Sequence, residues 1–455
     1  MAGLVSYPLT SVSGLSGVAR VPGDKSISHR SLMIGALASG ETHIMGLLEG
    51  EDVLHTADAL RAMGVVIRRP EKAGGLWHVT GVGDKGLQQP DKEIYLGNSG
   101  TSTRLLMGLV AGYPISVTFT GDASLSRRPM GRVITPLTEM GAKIEAADGG
   151  KLPLTVFGSR TLKPIHYTLP VASAQVKSAI ILAGLHAADD TTAIEPLATR
   201  DHTERMLTFF GADISSVLQE DGTHAVTITP CPTLKGQHVI VPADPSSAGF
   251  ATVAALITPG SDIVLPQVSI NPLRTGLYTT LIEMGANITF ENECDLSGEP
   301  TADMRVRHSA LKGVTVPEAR VPSMIDEFPI LSIAAAFAEG ATYMSGLEEL
   351  RVKESDRLAV MATGLKAAGV DLEMGENSLL IRGSAGTKPP GGCLIETHLD
   401  HRIAMSFLIL GMATIEPVMV DDAETINTSF PGFADLMNIL GADIRPQAEE
   451  AAASA

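Results

Sequence analysis

Aromatic side chains are scarce in this 455-residue chain: Phe, Tyr and Trp make up 4%, with a single Trp. There is little material for stacking unpaired bases, which excludes a single-stranded nucleic-acid platform. Positive charge is scarce too, since 34 Lys and Arg stand against 51 Asp and Glu, for a formal net charge of −17. That balance speaks against nucleic acid or an anionic membrane as partner, so any basic cluster must be local. The three cysteines, Cys231, Cys294 and Cys393, form no C-x-x-C and cannot all pair with one another. They suit a reducing compartment and exclude a cysteine-held zinc. The longest apolar runs, Ile403–Ile415 and Ile330–Ala338, fall short of the roughly 18–20 residues that span a bilayer. Before Arg20 the chain mixes Ser, Thr, Pro and Gly instead of forming the apolar segment of a signal peptide. The expectation is a cytoplasmic protein with no membrane partner. Long polar tracts are missing as well, so nearly all of the chain should fold, as two large domains or about three ordinary ones.

What is present is a repeat. A helix-like segment ending in Gly and followed by a short strand start occurs at Gly64, Gly141, Gly211, Gly285, Gly369 and Gly441. Each repeat also carries an earlier apolar helix opened by small polar residues: Ser26–Leu37, Thr101–Val110, Ser173–Leu185, Ser246–Ile257, Ile325–Ala338 and His401–Leu410. The unit reads helix, strand, helix, strand, with Gly where a left-handed helix end is easiest. A coarser symmetry relates Val21-Pro22-Gly23-Asp24 to Val241-Pro242-Ala243-Asp244, with three repeats after each. These features predict two pseudo-equivalent α/β domains facing one another across a cleft, with the V-P-x-D segments as crossings.

Several motifs place anion-binding chemistry at helix starts. Lys25, Ser26 and Arg30 lie at the mouth of the first helix, where free N–H groups and the dipole favour an anion. Gly97–Arg104 (GNSGTSTR) repeats that design with a small-residue turn, hydroxyls and an Arg. Arg127, Arg128 and Arg132 crowd one short segment, which suits a carboxylate or phosphate clamp as well as an exposed loop. Ser173-Ala174-Gln175 offers neutral hydrogen-bonding groups, and Arg200-Asp201-His202-Thr203-Glu204 follows the next strand. Asp-His-x-Glu resembles a ligand set, but the flanking arginines Arg200 and Arg205 disfavour a metal. Asp326 sits at a helix start, where an ordinary N-cap is the plain alternative. Arg351–Arg357 (RVKESDR) alternates charge as a salt-bridged surface helix does, and Asp400-His401-Arg402 repeats the theme. Basic or hydroxyl groups at helix mouths in five of six repeats point to a site for polyanionic small substrates.

In this order, GDKSISHR, GNSGTSTR, RRPMGR, SAQ, IDE, RVKESDR and LDHRIAMSF resemble the 5-enolpyruvylshikimate-3-phosphate synthase family, from about Gly17 to about Ile444. The wording ASAQVKSA, TRDHTE and SMIDEFP is closer to the glyphosate-tolerant bacterial class. The resemblance implies a two-domain inside-out α/β fold of six repeated units. Residues 24–240 would form one three-repeat domain, and 1–23 with 241–455 the other. It implies a transferase that moves the carboxyvinyl group of phosphoenolpyruvate to the 5-hydroxyl of shikimate 3-phosphate, acting as a monomer with no metal or organic cofactor. It further implies that Lys25, Ser26, Arg30, Ser173, Ala174, Gln175, Arg200, Asp326 and Lys353 hold shikimate 3-phosphate. Lys25, Gly100, Arg128, Gln175, Arg357 and Arg402 would surround phosphoenolpyruvate, with Asp326, Glu354 and Lys25 as the catalytic groups. Where the family often has a Lys before Thr-Phe-Pro, this chain has Thr428 before Ser429-Phe430-Pro431, and no cationic contact is assigned there. A UDP-N-acetylglucosamine enolpyruvyltransferase, an RNA 3'-phosphate cyclase or a non-catalytic anion-binding protein are the rival readings. The K-S-x-S-H-R opening, the acidic balance and the intact Lys25, Asp326 and Glu354 disfavour them respectively.

Overall fold

The computed structural model describes residues 3–9, 14–231 and 233–447. The described residues form twelve α-helices: α1 (Lys25–Leu37), α2 (Glu51–Ala62), α3 (Gly100–Ala111), α4 (Gly131–Glu139), α5 (Ala174–Gly184), α6 (His202–Phe209), α7 (Pro245–Ile257), α8 (Gly276–Glu283), α9 (Phe328–Phe337), α10 (Arg357–Ala367), α11 (His401–Gly411) and α12 (Phe433–Ile439). Strands between them make six four-stranded sheets, each with a parallel pair at one edge.

The chain divides into two compact units. The first comprises Gly23–Pro242 with Asp295–Pro300; the second comprises the chain up to Pro22, Ala243–Cys294, and from Thr301 on. Each holds three of the sheets and its own hydrophobic core. The odd-numbered helices are buried almost all round: every residue of α7 and α9 is buried, as is α1 from Ile27 to Leu37. A helix apolar on all sides belongs inside a core, which is why these segments stand out as continuous apolar runs. The even-numbered helices bury one face and leave the other to solvent.

The six repeats of the sequence are six folded units. All six repeat glycines have positive φ, from 86° to 112°, the region that side chains with a Cβ rarely adopt. The offset symmetry also holds at atomic detail. In the first unit Asp24 N–H donates to Pro242 O at 2.8 Å, and in the second Asp244 N–H donates to Pro22 O at 2.9 Å. Both aspartates then cap the helix that follows, α1 and α7. One boundary differs from expectation. The helix predicted from Ile325 begins at Phe328, after a 3₁₀ segment over Glu318–Ser323. Pro329 lacks the N–H that a fifth helical position must donate, so it is tolerated only in the first turn.

Candidate active site

In the first unit, hydrogen bonds tie the N-terminal halves of four helices together. Arg30 is 3% exposed; its Nε donates to Thr203 Oγ1 of α6 at 2.7 Å, its Nη2 to Ser178 Oγ of α5 at 2.8 Å, and its Nη1 to Ser26 O at 3.0 Å. Burial lowers its pKa to about 10, against the pull of Glu204 and Asp24, so it remains a cation at neutral pH. Arg104 Nη1 donates to Gln175 Oε1 at 2.6 Å, and Gln175 Nε2 donates to Thr101 Oγ1 at 2.9 Å, joining α3 to α5. Ser99 and Ser173 cap α3 and α5. Lys25 pairs with Asp52, and both are mostly buried. The motif residues Lys25, Ser26, Gly100, Ala174 and Gln175 therefore stand in the first turns of α1, α3 and α5, where N–H groups lack intrahelical partners and favour an anion.

Arg128 turns back onto the same region, with Nη2 bonded to Asn98 Oδ1 and Ser124 Oγ. Its neighbours Arg127 and Arg132 are exposed. Arg200 precedes α6 and is half-buried. Asp201, His202 and Glu204 do not converge on a common point, because they pair with Arg205, Glu299 and Lys177. Beneath the cradle, buried Lys177 lies 2.8 Å from Glu195 and 2.6 Å from Glu204. Burial pushes the Glu204 carboxyl up, while Lys177 pulls it back.

In the second unit the functional side chains gather at the first turns of α9, α10 and α11. Arg357 opens α10 and is 1% exposed. Its Nε donates to Asp400 Oδ2 at 2.8 Å, its Nη2 to Glu354 Oε2 at 2.5 Å, and its Nη1 to Asp326 Oδ1 at 3.2 Å. Burial alone would lower its pKa, but Asp400, Glu354 and Asp326 outweigh that and raise it. Arg357 therefore acts as a fixed cation on which two partly exposed carboxylates, Asp326 and Glu354, are held. Direct contact between Arg357 and a substrate requires it to release one of them. Lys353 Nζ lies 3.9 Å from Asp326 Oδ1. Arg402 Nη1 donates to Asp326 O at 3.1 Å and lies 3.7 Å from Glu327 Oε1.

Asp326 is not the helix cap; that position is Glu327, whose side chain accepts from Ser246 Oγ instead of the backbone. Thr428 Oγ1 lies 3.4 Å from His401 Nδ1 at the start of α11, so an imidazole adjoins the position where the family often has Lys. The sequence reading did not single out Asp52 or Glu327. Arg104 stood in a quoted motif without an assigned role; its place on the first turn beside Gly100 was the available signal.

The chain matches the family model for EPSP synthase (3-phosphoshikimate 1-carboxyvinyltransferase) over residues 9–437. It is 58% identical over 443 residues to a 3-phosphoshikimate 1-carboxyvinyltransferase of Paramagnetospirillum magneticum, covering 97% of this chain and 99% of that one. It is 56% identical over 452 residues to the enzyme of that name from Rhizobium johnstonii, covering 98% and 99%. Among solved structures, EPSP synthase of Acinetobacter baumannii superposes with a TM-score of 0.87 at 47% identity, over 98% of this chain and all of that one.

Proposed function

The chain belongs to the EPSP synthase (3-phosphoshikimate 1-carboxyvinyltransferase) family, and from that premise we propose how its residues divide the work. The enzyme transfers the carboxyvinyl group of phosphoenolpyruvate to the 5-hydroxyl of shikimate 3-phosphate and releases phosphate, a step of the shikimate pathway. The hydroxyl adds to C2 of phosphoenolpyruvate as C3 gains a proton, giving a tetrahedral ketal phosphate. Loss of phosphate and of a C3 proton then leaves the enol ether.

In this reading Lys25, Ser26, Arg30, Ser173, Ala174, Gln175 and Arg200 hold shikimate 3-phosphate, and Lys353 takes its ring hydroxyls. Lys25, Gly100, Arg128, Gln175, Arg357 and Arg402 surround phosphoenolpyruvate. Asp326 accepts the proton of the attacking hydroxyl, and Glu354 handles the proton at C3, as positioned acids and bases do. The observation that carries the assignment is the pair Asp326 and Glu354 on one buried guanidinium, 3.2 and 2.5 Å from it. Arg357 orients both carboxylates without supplying a proton itself, and the remaining arginines stabilise carboxylate and phosphate charge. Arg104, bonded to Gln175, positions that amide.

The enzyme acts as a monomer in the cytoplasm; three cysteines, all free, favour a reducing compartment. No helix among the described residues is long and apolar enough to cross a membrane. The test is phosphate release from the two substrates together. It should proceed after exhaustive chelation, since the cations of the site are side chains, and UDP-N-acetylglucosamine should not replace shikimate 3-phosphate. Activity restored to chelated enzyme only by a divalent ion would overturn the metal-free reading.

A further inference from the structure

Away from the residues assigned to the reaction, one sheet of the first unit carries a row of imidazoles. Its strands His238–Ile240, Glu41–Met45, Trp77–Thr80 and Val66–Arg68 lie side by side in that order. The register sets His238 opposite His43 and His43 opposite His78, so the three rings stand next to each other on one face. Glu41 shares that face by the two-residue alternation of a strand, while Thr42 and Ile44 are buried on the other.

The donor atoms are close enough together to share one metal ion. Glu41 Oε2 lies 2.9 Å from His43 Nε2, and Glu41 Oε1 lies 3.5 Å from His78 Nδ1. One donor atom from each of Glu41, His43 and His78 lies within 4.8 Å of the others. Bonds of about 2.0–2.2 Å in a tetrahedron place neighbouring donors about 3.3–3.6 Å apart, so small side-chain rotations complete the set. His78 Nδ1 is shielded from water and makes no hydrogen bond. The other nitrogen of His43 is 3.2 Å from His238 Nδ1. An ion that displaces the Nε2 proton now shared with Glu41 Oε2 lets Nδ1–H donate to His238, an outer partner that orients the ring. Arg68 also reaches Glu41, at 2.5 Å, but its side chain is 64% exposed and free to swing into solvent.

We propose that Glu41, His43 and His78 bind one divalent transition cation of the zinc type, with His238 holding His43 in place. Two imidazoles and a carboxylate select zinc, nickel or copper over magnesium or calcium. The fourth position is left to water, and none of the four residues takes part in carboxyvinyl transfer.

The experiment uses the full chain without a histidine tag, stripped by EDTA and moved to chelator-free buffer. Zinc chloride is titrated against a competing chromophoric chelator, and cobalt(II) is added in place of zinc in a parallel sample. One equivalent should bind, and cobalt should show the visible absorption of a four-coordinate ion. Affinity should fall about tenfold or more in His43→Ala and in His78→Ala, and about tenfold in His238→Ala. It should be unchanged in His398→Ala, an exposed imidazole elsewhere. Unaltered phosphate release by each variant confirms that it is folded. No bound equivalent, or zinc held as tightly by the double variant His43→Ala/His78→Ala, overturns the proposal.

Discussion

A Cβ built on Gly100 would lie 3.0 Å from Arg104 Nη1 and 3.2 Å from Arg128 Nη1, so Gly100→Ala forces both guanidiniums to retreat by a few tenths of an ångström. Both atoms end flexible side chains that can give way, so the added methyl is felt chiefly by the ligand in the pocket. The resemblance puts phosphoenolpyruvate here, and glyphosate, which is longer, in the same place. The substitution should therefore raise the inhibition constant for glyphosate by a larger factor than the KM for phosphoenolpyruvate, as steady-state kinetics will show. Equal changes would remove residue 100 from the pocket. Asp326→Asn keeps the side-chain shape that meets Arg357 and the main-chain carbonyl that meets Arg402, but removes the proposed base. Shikimate 3-phosphate should bind within about tenfold of normal by calorimetry while kcat falls by roughly 10² or more. Near-normal turnover would return Asp326 to a structural role. These residues were legible because each lies in a contiguous motif at a helix start. Asp52, which pairs with Lys25, was not, because only the packing of α1 on α2 brings the two together. Nor did the motifs reveal that Arg30 and Arg357 are buried: a charge pattern shows which groups are present, not how many carboxylates or hydroxyls close around them.

Helices α3 and α5 touch backbone to backbone at Gly108, where an added Cβ would stand 2.2 Å from Ala179 O. No rotamer change relieves a clash with a carbonyl oxygen, so Gly108→Ala must separate the two helices. Destabilisation of about 1–3 kcal/mol or more is expected, read as a lower midpoint in urea. Because the same helices present Gly100 and Gln175, KM for both substrates should rise as well. A variant as stable as the parent would show that the interface yields freely. The buried helices were visible as apolar runs bounded by small polar residues, and their ends as glycines that the chain uses with positive φ. The start of α9 was misread because Pro329 sets the beginning of the helix as well as interrupting apolar periodicity. The histidine row was invisible for another reason. Residues 43, 78 and 238 become neighbours only through strand register, and spacing along the chain carries no trace of it.

Across the whole molecule, acid sensitivity is unevenly spread between the two units. In the first, burial followed by the nearby Lys25 and Arg30 holds His29 well below the usual imidazole value of 6.5, and burial lowers His186 to about 4. An unfolded chain protonates both near 6.5, so between pH 6.5 and about 4 the unfolded state binds more protons and stability is lost as the pH drops. For His186 alone the loss approaches about 3 kcal/mol. Glu204, whose carboxyl is raised by burial, works in the opposite direction, but its tie to Lys177 limits that gain. In the second unit burial lowers His308 as well, but that ring is only partly buried, and Asp262, held down to about 2 by Arg305, releases stability only below the ordinary carboxylate range. The single tryptophan, Trp77, is fully buried in the first unit, so its fluorescence reports that unit alone, whereas far-UV circular dichroism averages both. On titration from pH 7 to pH 4 the Trp77 signal should change at higher pH than the bulk of the dichroism. His186→Phe, which keeps a ring against Tyr113 and removes the titrating nitrogen, should move the fluorescence transition to lower pH. Coincident transitions in the parent protein would mean that the two units unfold as one body despite their separate cores. A fluorescence transition unmoved in His186→Phe would leave His29 as the group that sets it.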